Sequence, residues 1–275
     1  MKNEFRIFPD IRLICGDIPE TSRRDVLEIG CCIKGICECC TDMGISYPAR
    51  GDCFVLKHGK NEKSSVTGSA NCRVISLLVD MRISNEGLSE LIGTPDNLLD
   101  ISENEVCVCH NEKITEAFSV IYKECMNEQA VMLKVRVLEL LILLNEQKIK
   151  THRKNEKIRK AGRFICEHIS EHYTISQLSE MFGIDGTTLK NLFRQIHGCP
   201  VYTYAKNRKM FRAAELLKTT DMKVIDVAEE VGYSNASKFS SAFRDVMGVN
   251  PKYFQMEHKS SRRISNSGIL PQITY

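Results

Sequence analysis

No apolar run in these 275 residues is long enough to cross a bilayer. The longest, Val135 to Leu144, is interrupted by Arg136 and Glu139. The opening residues, Met1-Lys2-Asn3-Glu4-Phe5, contain no apolar secretory core. Both absences point to a protein of the cytoplasm. Chemistry-bearing patterns are scarce as well. There is no glycine-rich phosphate loop and no Gly-x-Ser-x-Gly nucleophile elbow. Histidine is thin: only His58 and His110 fall in the first 150 residues, and neither belongs to a His-x-His pair. No catalytic residue, metal site or cofactor is therefore expected, and the chain does not read as an enzyme.

What is present is ordinary globular material, 43% hydrophobic and 27% charged, in a length that suggests two domains. The net charge of +3 conceals an asymmetry. Residues 1–150 carry 18 basic against 23 acidic side chains, and residues 151–275 carry 20 against 12. An excess of eight positive charges in the second part suits a polyanion. Eleven of the thirteen cysteines lie in the first part, so composition sets a boundary near residue 150. The expected division is a first domain over 1–110, a helical segment over 111–150, a polar linker over 151–157, a second, basic domain over 158–258 and a disordered tail over 259–275.

Up to about Val108 the pattern is short and β-like. Leu27, Ile29, Cys31 and Ile33 alternate, and Cys53-Phe54-Val55-Leu56 and Val74 to Val79 read as further strands. Lys34-Gly35, Asp42-Met43-Gly44 and Arg50-Gly51-Asp52 read as turns. Such spacing favours a small antiparallel barrel or sandwich. Two helices follow. Ile114, Ala117, Phe118, Ile121, Tyr122 and Cys125 make one apolar stripe. The second, from about Ala130 to Glu146, is apolar on more than one face. A face left over after packing suits either burial within one subunit or a second copy of the chain. The candidates for such a dimer contact are Ile121, Val131, Val135, Leu138 and Ile142.

The decisive feature is a repeat. Thr174 and Gln177 have capping-box spacing, Ile175, Leu178 and Phe182 share one helical face, and Gly183 supplies a turn. Leu189, Phe193 and Ile196 then recur at helical spacing up to Gly198. About 50 residues later the pattern returns: Val224, Val227, Ala228 and Val231, then Gly232, then Phe239, Phe243 and Val246, closed by Gly248. Two helices joined by a glycine turn form a helix-turn-helix. The outer face of the first unit's second helix offers Thr187, Thr188, Lys190, Asn191 and Arg194. The second unit offers Asn235, Ser237, Lys238, Ser240, Ser241 and Arg244, with no carboxylate before Asp245. Short hydrogen-bonding groups mixed with cations are what base edges and phosphates require. Pro200 to Lys218 reads as one long helix between the units, a rigid connector that would hold the reading helices about one DNA turn, roughly 34 Å, apart. A lone helix–glycine–helix is common in helical proteins, and the cations alone could be a solvated face. Duplication, clean polar faces and the basic charge together decide for DNA.

These residues resemble the AraC/XylS family of bacterial transcription regulators over about Ile158 to Gln255. The most specific stretch runs from Val227-Ala228-Glu229-Glu230-Val231-Gly232-Tyr233-Ser234 through Ser237-Lys238-Phe239, then Phe243-Arg244 and Gly248-Val249-Asn250-Pro251. Lys209 stands where the family usually has Arg, Ser179 where Ala is typical and Asp185 where a Ser cap is common. The resemblance implies an α+β protein: a cupin-like antiparallel barrel, two following helices, then an all-α domain of two helix-turn-helix units joined by a long helix. It also implies a homodimeric, ligand-responsive activator whose partners are double-stranded promoter DNA, RNA polymerase and an unknown small-molecule effector, with no membrane association. Thr187-Thr188-Leu189-Lys190 and Tyr233-Ser234-Asn235 look closest to the siderophore-responsive branch.

The cysteines are first read as small buried residues. Cys37 and Cys40 have C-x-x-C spacing, but on a strand they point to opposite faces. The alternative is a thiol- or metal-responsive regulator using Cys31, Cys32, Cys37, Cys39, Cys40, Cys107 and Cys109.

Overall fold

The structure, a computed structural model, describes residues 3–16, 25–59, 64–82, 106–127, 130–147 and 156–267. Among the described residues, nine strands lie in the N-terminal part: β1 (Asn3–Phe8), β2 (Ile11–Gly16), β3 (Val26–Lys34), β4 (Cys37–Thr41), β5 (Gly44–Ser46), β6 (Cys53–His58), β7 (Ser65–Gly68), β8 (Arg73–Asp80) and β9 (Val106–Cys109). Every strand pairing is antiparallel. The described strands make two sheets, ordered β1-β2-β8-β3-β6-β9 and β5-β4-β7. The antiparallel expectation holds. The alternation read in β3 does not translate into one wet face, because seven successive residues from Val26 to Cys32 are buried. One side of that strand faces helices, and the other faces the apolar patch of Phe54, Leu56 and Val74. In the centre of this dry layer sits a charged residue, Glu28. It accepts from Ser76 Oγ at 2.7 Å and lies 2.9 Å from His58 Nε2, so its burial is compensated.

Two helices cover the larger sheet: α1 (Glu112–Met126), capped by the Asn111 side chain, and α2 (Ala130–Gln147). Ile114, Phe118, Ile121 and Cys125 of α1 pack with Leu133, Val137, Leu140, Leu141 and Leu144 of α2 and with Ile29, Val55, Ile75 and Leu77 of the sheet. Each such aliphatic or aromatic side chain contributes roughly 1.5–3 kcal/mol by leaving water. Ile121 is therefore core within one chain, and its place among the dimer candidates is withdrawn: it is 0% exposed. Helical phase explains the error, since Ile121 lies on the same stripe as Ile114 and Phe118. On α2, Val131, Val135 and Ile142 are exposed and Leu138 is half-buried.

The C-terminal part is all helix: α3 (Glu156–Glu167), α4 (Ile175–Phe182), α5 (Gly186–His197), α6 (Val201–Thr219), α7 (Val224–Glu230), α8 (Ala236–Met247) and α9 (Pro251–Ser267). One apolar core joins them, with Leu178, Phe193, Tyr204, Leu217, Val227, Phe239, Phe243 and Phe254 among its members. Ile45 and Tyr47, from β5 and the residue after it, belong to that same core. The linker expected at 151–157 lies mostly outside the described residues. The tail boundary expected at 258 moves, since α9 continues through Ser267; residues 268–275 are outside the description. Among the described residues no helix is long and apolar enough to cross a membrane.

Candidate nucleic-acid interface

The first helix pair is α4 with α5. Thr174 and Gln177 close the expected box: Thr174 Oγ1 accepts from the Gln177 N–H, and Gln177 Oε1 accepts from the Thr174 N–H at 2.9 Å. Gly183 ends α4 in the left-handed conformation, at φ 59°. Asp185 then opens α5 by accepting from the N–H groups of Thr187 and Thr188. The Thr188 side chain, with those two amides, holds the Asp185 carboxyl below its ordinary range. Leu189, Phe193, Ile196 and His197 face inward. Thr187, Thr188, Lys190, Asn191 and Arg194 are all exposed on the outer side.

The second pair, α7 with α8, repeats the plan. Val227 and Ala228 are buried, Gly232 turns the chain at φ 79°, and Asn235 Oδ1 caps α8 by accepting from the Lys238 N–H at 2.9 Å. Phe239, Ala242, Phe243, Val246 and Met247 face the core. Asn235, Ser237, Lys238, Ser241 and Arg244 are exposed, and Ser240 is half-buried. Asp245, the one carboxylate on this helix, is tied to Lys206 of α6 at 3.2 Å. The outer face thus keeps its cationic character. Asn235 has a structural duty the sequence pattern did not separate from reading, because its carbonyl oxygen is committed to the cap.

Helix α6 runs for 19 residues, about 28 Å at 1.5 Å per residue. It buries Val201, Tyr204, Ala213, Leu216 and Leu217 in the core shared with both pairs, so the pairs are joined by a stiff element. Pro200 stands at its N-cap. Lys209, the departure from the usual Arg, donates from Nζ to the Ser170 carbonyl at 3.3 Å and lies 5.7 Å from the Tyr233 ring centroid. A single ammonium serves there where a guanidinium could have forked.

Sequence reasoning missed a second feature: the seam between the strands and the helices. Both outer helices end against the N-terminal domain. At the end of α5, the Tyr47 N–H donates to the His197 carbonyl at 3.1 Å, and His197 Nδ1 lies 2.7 Å from the Ile45 carbonyl, which makes Nδ1 the protonated nitrogen. Burial keeps that imidazole neutral, pushing its pKa down from 6.5 to about 4. At the end of α8, the Ala70 N–H donates to the Met247 carbonyl at 3.0 Å. Between them, Arg208 of α6 faces Glu38 of β4 at 3.7 Å, and the Tyr47 hydroxyl donates to Glu38 at 3.1 Å. Desolvation raises the Glu38 pKa against the opposing pull of Arg208 and Tyr47. A cavity of about 720 Å³ opens along this seam, with Glu38, Val66, Arg208, Phe211, Lys218 and Phe254 among its lining. No local pattern announces these contacts, since all but the Tyr47–Glu38 bond join residues more than a hundred positions apart.

Residues 178–257 match a family described as a helix-turn-helix domain. The chain is similar to the transcriptional regulator ExsA of Pseudomonas aeruginosa, 30% identical over 97 residues, which is 35% of each chain. It is 28% identical over 129 residues to the virulence regulon transcriptional activator VirF of Yersinia enterocolitica, covering 44% of this chain and 48% of that one. It is 24% identical over 152 residues to the arabinose operon regulatory protein of Escherichia coli, covering 53% and 52%. The chain thus spans between about a third and about half of the length of these relatives. Two capped helix pairs with glycine turns, joined by one long helix, thus form a helix-turn-helix domain similar to those of these transcription regulators.

Proposed function

We propose that the chain is a sequence-specific DNA-binding transcription regulator that reads promoter DNA with α5 and α8. One observation carries this: two outward faces, each of hydroxyls, amides and cations, stand on capped helices joined by a stiff connector. Thr187, Thr188, Lys190, Asn191 and Arg194 would enter one major groove segment, and Ser237, Lys238, Ser241 and Arg244 the next, with Asn235 at its edge. The work is binding in the cytoplasm, not catalysis.

Residues 1–110 serve as a cupin-like sensor, 111–150 as the dimerisation segment and 158–258 as the reading domain. The seam cavity supports a small-molecule effector, because a ligand there would touch β4, β7, α6, α8 and α9 at once. It would act by preferring one placement of the readers over another. The exposed apolar residues Val131, Val135 and Ile142, with half-buried Leu138, support a homodimer through α2. Activation through RNA polymerase follows the family and the relative named as an activator. A siderophore effector gains no support from relatives whose names point to a virulence regulon and the arabinose operon.

The test is footprinting and anisotropy on DNA upstream of the chain's own and adjacent genes, against random duplex. Arg194→Ala or Lys190→Ala is expected to weaken specific binding by about 1–3 kcal/mol, roughly 5- to 150-fold, while leaving non-specific binding near its original level. Equal loss on both DNAs reassigns the residue to phosphate anchoring. No preference for any promoter fragment sinks the proposal.

A further inference from the structure

Three cysteines from separate segments converge in the N-terminal domain. Cys32 lies on β3, Cys37 opens β4, and Cys72 ends the turn before β8. Their sulfur atoms all lie within 4.8 Å of one another, and Cys37 Sγ is 3.5 Å from Cys72 Sγ. All three are buried, at 0%, 0% and 4% exposure. Among the described residues this is the one such group of potential metal ligands, and it contains no imidazole and no carboxylate. Apolar Phe54, Leu56, Val66 and Val74 surround it.

We propose that Cys32, Cys37 and Cys72 form a three-coordinate thiolate site for a soft monovalent cation, copper(I). At metal–sulfur distances of about 2.3 Å, a trigonal set needs sulfurs about 4 Å apart, and small shifts bring this trio, one pair at 3.5 Å and all within 4.8 Å, to that spacing. Soft thiolates select copper(I), zinc or iron–sulfur clusters. A structural zinc site closes with four ligands, and iron–sulfur clusters are likewise held by four protein ligands. A trio of sulfurs suits copper(I), which is content with three. On binding, each ligating thiol releases its proton to water, and no electron is transferred.

The surroundings suit such a site. Gly35, at φ 78°, brings its loop so close that a Cβ there would lie 2.8 Å from the Cys72 Cα. The loop and the turn are stitched together, the Ser69 N–H donating to the Ile36 carbonyl and the Ile36 N–H to Ser69 Oγ. The Arg73 guanidinium donates to the Cys72 carbonyl at 2.7 Å, placing a cation beside the developing thiolate charge. Cys72 also lines the seam cavity, which gives the ion a way in. Two residues before it, Ala70 holds the Met247 carbonyl at the end of α8, and Asn71 packs against Gly248. Drawing Cys72 onto a metal therefore moves the turn that supports the second reading helix. This last link rests on the proposed function; the metal site does not.

The test uses the full chain, reduced and free of oxygen, competing for copper(I) against a coloured chelator. One equivalent is expected to leave the chelator. Cys72→Ser and Cys37→Ala should each weaken retention by at least about 100-fold, the upper end of what losing a supporting residue costs, while Cys109→Ser leaves it unchanged. Should those variants unfold by circular dichroism, X-ray absorption of the copper-loaded natural protein decides: three sulfurs at about 2.3 Å support the site, and nitrogen or oxygen neighbours overturn it. No copper withdrawn, or zinc held more tightly than copper(I), also overturns it. Copper stoichiometry is read without DNA, so its failure leaves promoter binding untouched, and the converse holds. Several-fold change in promoter affinity on copper loading supports the coupling, and an unchanged affinity removes it.

Discussion

The two helix pairs share a blueprint and differ in how they are held. Both outer helices end at a left-handed glycine, Gly198 at φ 80° and Gly248 at φ 81°, whose N–H returns to an arginine carbonyl one turn back. The first pair is fastened to the strands by Tyr47, by Ile45 and by a wholly buried His197. The second touches them through Ala70 and Asn71, and it carries Met247 where the first has His197. Duplicated reading surfaces have thus been given unequal anchorage. Any movement of the strands would reach the first pair through several bonds and the second through few.

Substitutions at matching positions can break this comparison. The largest effect is expected at the turn glycines. A Cβ at Gly232 would lie 2.2 Å from the Ser170 carbonyl oxygen, a backbone atom that cannot swing aside. Gly232→Ala should cost more than about 3 kcal/mol in urea unfolding, adding that collision to the left-handed strain. At Gly183 the nearest neighbour is the Lys157 Nζ at 3.6 Å, so Gly183→Ala should cost only about 1 kcal/mol. Equal costs would mean the two turns are not built differently after all.

Acid should act next, and on one pair only. An exposed imidazole takes up a proton near 6.5, whereas the buried His197 refuses one until about 4. Above pH 6.5 both states are neutral there and stability is whole. Between 6.5 and about 4 the opened state binds the extra proton, so stability drains as pH falls, by about 3 kcal/mol at the end of that window. His197→Met, copying the second pair, should flatten this part of the pH profile in thermal melts. A slope unchanged by that substitution would place the acid sensitivity elsewhere.

The smallest effect sharpens the likeness instead. Asp185→Ala and Asn235→Ala each remove an N-cap and should each cost about 1 kcal/mol of stability. A much smaller loss at Asn235 would mean that residue serves the DNA face alone.

How much of this was legible in sequence follows from the range of the forces involved. Capping at Thr174 and Gln177, the glycine turns and the apolar faces of α4, α5, α7 and α8 are settled within a few residues, so spacing reveals them. The outward residues Lys190, Arg194, Lys238 and Arg244 follow once those faces are fixed. Ile121 was misplaced because a stripe on a helix does not say which neighbour covers it. Cys37 and Cys40 diverge as their strand spacing implies: on β4 Cys37 and Cys39 are buried on one face, while Cys40 lies on the other. Cys72, which completes the trio, is 35 residues away from Cys37, and only the sheet brings them together. Tyr47, Glu38 and Arg208 were invisible for the same reason. Operator sequence and effector are not written in helical periodicity at all.

The glycine-ended helices carry one more implication. Arg194 presents its side chain outward, while its backbone oxygen accepts the Gly198 N–H beside Val108 of the sheet. Arg244 does the same beside Asn71. The outward arginine and the attachment to the strands therefore share the same final turn. If these arginines read bases as proposed, a lineage that retunes which bases this turn prefers would also disturb how firmly it is moored, and changes in target preference would arrive together with changes in that attachment.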